Sequence, residues 1–91
     1  MRIVVAYDIV DNRRRNKIAK TMLDYGFRVQ KSVFECLIDD RRYLSMKEKI
    51  EKLIDPTEDS VRYYFLCARC ENSTEISGWG PIHDDEDVII V

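Results

Sequence analysis

Phe27-Arg28-Val29-Gln30-Lys31-Ser32-Val33-Phe34-Glu35-Cys36-Leu37-Ile38 reads as strand throughout, yet its alternation changes phase. Phe27 and Val29 are apolar on odd numbers, whereas Phe34, Cys36 and Ile38 are apolar on even ones. A single straight strand cannot do this, because its side chains alternate with a period of two and a slip of one residue turns all of them over. The stretch therefore predicts two strands, about 28–30 and 33–38, with a tight reversal or bulge near Lys31-Ser32. No Gly or Asn marks the turn.

Moving outward toward the N-terminus, Ile3-Val4-Val5-Ala6 is an unbroken apolar run of the kind a strand buried on both faces carries. It ends at its first charged residue, so Asp8 stands at the lip of the sheet with its carboxylate pointing out of the core. Asp11 or Asn12 is a good N-cap for a helix over about 13–25. Ile18, Ala19, Met22 and Leu23 make its apolar stripe, and Gly26 is expected to supply a left-handed residue past its end. Toward the C-terminus, Asp39 or Asp40 caps a second helix over about 41–54. Tyr43, Leu44, Lys47, Ile50, Leu53 and Ile54 follow helical spacing, with the Lys47 stem lying along the stripe. Asp55-Pro56 stops that helix, and the turn Thr57-Glu58-Asp59 leads into a central strand, 60–67.

The order is βαββαβ, an α+β plan of the ferredoxin-like type with two helices on one face of a four-stranded antiparallel sheet. The other face is then bare. Residues 68–91 hold the pieces to help: Glu75-Ile76-Ser77-Gly78-Trp79-Gly80, an acidic run Asp84-Asp85-Glu86-Asp87, and Val88-Ile89-Ile90-Val91. An apolar terminal strand wants a sheet edge, which predicts an extra C-terminal strand pairing with a second copy in a twofold homodimer. The expected organisation is one domain over 1–78 and a tail, 79–91, crossing to the partner subunit.

At 91 residues the chain has room for one domain and a modest core. With 45% apolar and 35% charged residues, it has a globular composition under a heavily charged surface. The net charge of −2 conceals an asymmetry: residues 1–54 carry 13 Lys+Arg against 8 Asp+Glu (+5), and residues 55–91 carry 2 against 9 (−7). A mildly acidic average thus leaves room for a basic face that binds polyanions. Nothing resembles a signal peptide and no apolar run is long enough to span a bilayer, so the expectation is a cytoplasmic protein with no membrane partner. Cys36, Cys67 and Cys70 are expected as free thiols, because the Cys67-x-x-Cys70 pair has no second pair or His cluster to complete a zinc site.

Asp8 beside Arg13, Arg14, Arg15 and Lys17 is the most function-like feature of the chain. The bland reading of a strand-end Asp is a turn former or helix cap. The cations crowd the first turn of a helix, where the macrodipole disfavours them, so local stability does not explain their presence. With Arg28 they suit phosphate oxygens, which a guanidinium fork matches in a bidentate way. The competing reading is a merely solvated helix face.

Three pieces together carry a resemblance: the opening strand ending in Tyr7-Asp8, the segment Arg28-Val29-Gln30-Lys31-Ser32-Val33-Phe34-Glu35, and Arg62-Tyr63-Tyr64-Phe65-Leu66 after Asp55-Pro56. Over essentially its whole length the chain resembles the small CRISPR-associated adaptation proteins called Cas two, the CRISPR-associated endoribonucleases. The resemblance implies a ferredoxin-like homodimer whose C-terminal strands cross to the partner. It also implies magnesium-dependent cleavage of RNA or DNA with Asp8 of both subunits at the metal, and bridging of the CRISPR integrase protein during spacer acquisition.

The chemistry is consistent with that. Mg²⁺ favours sites of one or two carboxylates with several waters, and two copies of Asp8 across a dyad make a better site than one. Arg13, Arg14, Arg15, Lys17, Arg28, Ser32 and Phe34 are the expected nucleic-acid contacts, with Phe34 stacking on a base, filling the rear sheet face or, the favoured reading, packing in the dimer seam. Ser32 has no base beside it for nucleophilic work. His83 and the acidic run read as solvated tail. The leading expectation is a metal-dependent endonuclease. The alternative is a non-catalytic dimeric scaffold for duplex DNA, and a small-ligand regulator ranks below both because no Gly-rich loop is present.

Overall fold

The phase change within residues 27–38 is a hairpin. In the computed structural model, which describes residues 1–66 and 73–78, β2 (Gly26–Gln30) turns through Lys31-Ser32 into β3 (Val33–Leu37). The reversal thus falls at Lys31-Ser32 as expected, and a separate bulge shifts the register between Arg28 and Gln30. The other elements are β1 (Arg2–Asp8), α1 (Asn12–Met22), α2 (Asp40–Leu53), β4 (Ser60–Leu66) and β5 (Ser73–Gly78). The strands form one antiparallel sheet in the order β2-β3-β1-β4-β5, the ferredoxin-like arrangement with an added edge strand. The expected tail (79–91), His83, the acidic run and Cys67-x-x-Cys70 lie outside the described residues.

Both helices are capped by an aspartate: the Asp11 carboxylate accepts the Arg14 N–H and that of Asp39 the Arg42 N–H, each at 2.9 Å. Three details of the helices differ from expectation. α1 ends at Met22 with Leu23 as its cap, so Leu23 leaves the apolar stripe and is exposed. Leu44 is also exposed, because at 100° per residue it points well away from the Tyr43–Met46–Ile50 line that faces the sheet. Gly26 has no left-handed backbone; it opens β2 opposite Cys36, where a Cβ would meet the Glu35 carbonyl oxygen at 2.2 Å. Close approach of two strands, not a helix cap, requires glycine there.

Ile3, Val5 and Tyr7 of β1, Phe34 and Cys36 of β3, and Val61 and Tyr63 of β4 face the helices and pack against Ile18, Met22, Tyr43, Met46 and Ile50. The phase of β3 thus puts Phe34 in the core, fully buried and stacked on Tyr7 at 6.2 Å between centroids, not in a seam or against a base. Cys36 is a buried free thiol whose pKa burial pushes up to about 11. β5 is held to α2 by side chains. Ser77 Oγ donates to Glu51 (2.8 Å) and lies 2.9 Å from the Tyr63 hydroxyl, while Glu75 accepts from Tyr43 (2.5 Å) and Lys47 (2.9 Å). Among the described residues the opposite sheet face carries no helix. Phe27 and Leu37 stand on it 54% and 65% exposed, beside half-buried Val4, Ala6 and Val33.

Candidate nucleic-acid and metal site

Asp8 is the last residue of β1, exposed, and among the described residues its carboxylate makes no hydrogen bond or ion pair. Three segments meet beside it around a cleft of about 370 Å³. Tyr7, Asp8 and Ile9 come from the end of β1, Arg15, Asn16 and Ala19 from α1, and Arg28, Lys31 and Ser32 from the β2–β3 hairpin. The hairpin is fastened there by Tyr7, whose N–H donates to the Ser32 carbonyl (3.0 Å) and whose hydroxyl lies 3.4 Å from the Lys31 carbonyl. The Arg28 guanidinium rests 5.3 Å from the Phe34 ring centroid, a cation–π contact that sets it on the hairpin side of the cleft.

The basic run is thereby divided. Arg15 reaches the cleft, but most of its N–H groups are spent on the loop after β1: it donates to the Ile9 carbonyl (2.9 Å), the Val10 carbonyl (3.3 Å) and the Asn12 side chain. Arg14 turns the other way and pairs with Asp59 (Nε–Oδ2 2.8 Å) and Glu58 (3.3 Å), so the fold takes up the guanidinium expected at a phosphate. Arg13 and Lys17 are exposed, form no ion pair among the described residues and do not line the cleft. Phe34 supports Arg28 from below and, being fully buried, offers no face to a base.

Sequence reasoning missed Asn16, Lys31 and Asp59. Lys31 was legible in part, since it flanks Ser32 in the turn. Asn16 and Asp59 left no local signal, because their roles depend on contacts with distant segments.

Asp59 is fully buried and its carboxylate accepts from the Val10 N–H (3.0 Å), the Asp55 N–H (2.9 Å) and two guanidinium nitrogens of Arg14. Burial alone would raise its pKa; the Arg14 side chain and the two backbone N–H groups outweigh burial and hold it below the usual carboxylate range. Glu75 is held low by Tyr43 and Lys47. A carboxylate whose pKa is lower in the folded than in the unfolded chain stabilises above the unfolded value, about 4, and that stabilisation is lost as pH falls through the folded value. Thermal melts are therefore expected to be level from pH 7 to about 5 and to drop steeply below about pH 4. A Tm unchanged to pH 3 would refute this assignment.

For a divalent cation, one chain offers one free carboxylate at this cleft, and no cluster of three or more His, Cys, Asp or Glu ligands occurs among the described residues. That donor set fits Mg²⁺, which keeps most of its waters and uses one or two carboxylates, and does not fit a caged Zn²⁺ or Ca²⁺. Among the described residues no helix is long and apolar enough to cross a membrane.

The model of the CRISPR associated protein Cas2 family matches residues 1–74. The chain is 43% identical over 77 residues to the CRISPR-associated endoribonuclease Cas2 3 of Chloroflexus aurantiacus, covering 85% of this chain and 83% of that protein. It is 37% identical to the CRISPR-associated endonuclease Cas2 2 of Thermus thermophilus, covering 96% and 92%. The crystal structure of Streptococcus pyogenes Cas2 at pH 6.5 superposes with a TM-score of 0.71 at 35% identity, over 76% of this chain and 89% of that one. A strand-terminal Asp8 free at a cationic cleft, on a ferredoxin-like sheet with a fifth strand, is thus set in a chain that belongs to the CRISPR associated protein Cas2 family.

Proposed function

We propose that the protein is a CRISPR-associated, magnesium-dependent endonuclease that hydrolyses phosphodiester bonds in single-stranded RNA or in DNA, acting as a homodimer in spacer acquisition. The observation that carries this reading is the free Asp8 carboxylate at a cleft walled by Arg15, Arg28 and Lys31. The endoribonuclease and endonuclease names of its relatives agree with it.

Arg28 and Lys31 attract and orient the phosphate, with the field of Arg15 behind them. Asn16 and the Ser32 hydroxyl provide neutral hydrogen-bonding groups at the same wall. Asp8 is the group that would hold Mg²⁺, with Asp8 of a second copy completing the pair. When bound, that ion supplies Lewis acidity and a nucleophile at neutral pH. The sheet face that α1 and α2 leave uncovered carries exposed Phe27 and Leu37 beside the Arg2–Glu35 ion pair, a mixed surface that a second copy would cover, and this supports self-association.

A second reading is favoured by the thin donor set: the same dimer serves as a non-catalytic scaffold that holds duplex DNA and bridges the CRISPR integrase. Labelled RNA and duplex DNA, with and without magnesium, separate the two when cleavage and binding are followed at several salt concentrations. The nuclease reading expects turnover only with the metal. It also expects the logarithm of single-strand affinity to fall with the logarithm of salt at a slope of about −2 per cleft, three cations at ~0.7 each. Salt-dependent binding without turnover leaves the scaffold, and a flat salt dependence removes both.

A further inference from the structure

Asp59 is not part of the cleft wall, yet the segment that follows Asp8 is tied to it at two points. Its carboxylate takes the N–H of Val10, two residues beyond Asp8, at 3.0 Å, and pairs with Arg14 in the first turn of α1. Its own chain neighbour Ser60 is the register partner of Asp8. Arg15 grips the same loop from its carbonyl side, through Ile9 and Val10. The peptide groups after Asp8 are thus held on their N–H side by a buried anion and on their C=O side by a guanidinium. The carbonyl of Asp59 is pressed in turn by Gly78, whose backbone has a φ of 91° and whose missing Cβ would lie 2.2 Å from that oxygen. A buried carboxylate with four donors at fixed places is a stiff anchor, because leaving any of those donors unpaired in the interior is costly.

We infer that Asp59 is a positioning residue for the Asp8 site: through the Val10 N–H and Arg14 it sets the path of the β1–α1 loop and so the direction in which Asp8 faces the cleft. This rests on the reading of Asp8 as a metal-holding group. Asp59→Asn keeps the shape and one acceptor oxygen but presents an amide to donors, and so breaks the anchor with little change in volume. Substrate contacts on the hairpin are untouched.

The test compares wild type, Asp59→Asn and Ile50→Ala, a core variant on α2, at a temperature where all three are fully folded. Expected for Asp59→Asn are a kcat at least about tenfold lower, a KM within about twofold of wild type, a several-fold higher magnesium concentration at half-maximal rate, and faster hydrogen exchange at Val10. Mn²⁺-induced broadening of the Asp8 amide signal, present in wild type, is expected to weaken. Changes in kcat and metal requirement no larger than those of Ile50→Ala would overturn the proposal. If wild type shows no metal-dependent cleavage, the nuclease reading fails by itself, and the broadening alone decides. Weaker broadening in Asp59→Asn upholds the anchor; broadening that is unchanged, or absent from wild type, overturns it.

Discussion

Asp8→Asn is expected to lower metal-dependent cleavage by at least about a hundredfold while leaving Tm within about 4 °C of wild type. The two halves of this expectation come from the same fact. Asp8 is exposed, and among the described residues nothing in the fold bonds to its side chain, so the exchange of carboxylate for amide removes no stabilising contact. Surface substitutions of that kind stay within about 0.5 kcal/mol. A metal site built from one carboxylate per subunit loses all of its protein charge in the same exchange. A hundredfold loss corresponds to about 2.7 kcal/mol at the transition state. Single-turnover cleavage of labelled RNA, with a melt of the same samples, measures both. Undiminished turnover would remove Asp8 from the mechanism and leave the scaffold as the better account. Loss of turnover with a large fall in Tm would mean that Asp8 acts through the fold.

Phe34→Ala is expected to destabilise the protein by about 3–5 kcal/mol, the range for truncating a buried aromatic side chain. Phe34 is fully buried, stacked on Tyr7, and the ring on which Arg28 rests. A domain of this size has a total stability of about 5–14 kcal/mol, so the change consumes a large part of it. At about 4–8 °C per kcal/mol, Tm falls by more than about 12 °C. Nucleic-acid affinity, measured below the transition, falls only to the extent that Arg28 loses its platform. A base-stacking role predicts the reverse: little change in Tm and a loss of about 1–3 kcal/mol in binding. Circular dichroism melts and a filter-binding titration on one preparation separate the two.

These variants also mark where local reading stopped. The even-numbered phase of Phe34, Cys36 and Ile38 is written in the chain, and it says that they share a face. It does not say which face the helices cover, because that depends on where α1 and α2 return over the sheet. Phe34, expected at a base, on the rear face or in the dimer seam, stands instead on the helix-covered side. The basic run shows the same limit. Arg13, Arg14, Arg15 and Lys17 are equivalent as a string of charges. Only folding brings Asp59, 45 positions away from Arg14, into contact with one guanidinium and turns Arg15 onto the loop carbonyls.

Apart from β5 (Ser73–Gly78), which only the structure showed, the amino-acid order by itself determined the strand segments to within their exact ends, the two capped helices, the break between residues 30 and 33, and Asp8 as a carboxylate at a strand terminus. Each follows from short-range physics: side-chain period, capping hydrogen bonds and the backbone limits of Pro. Tertiary structure alone decided which cations stay available, that Asn16 and Lys31 share a cleft with Asp8, and that a buried Asp59 anchors the loop between them. Those outcomes depend on pairing across the sheet and between loops, where the partner lies tens of residues away and no local pattern names it.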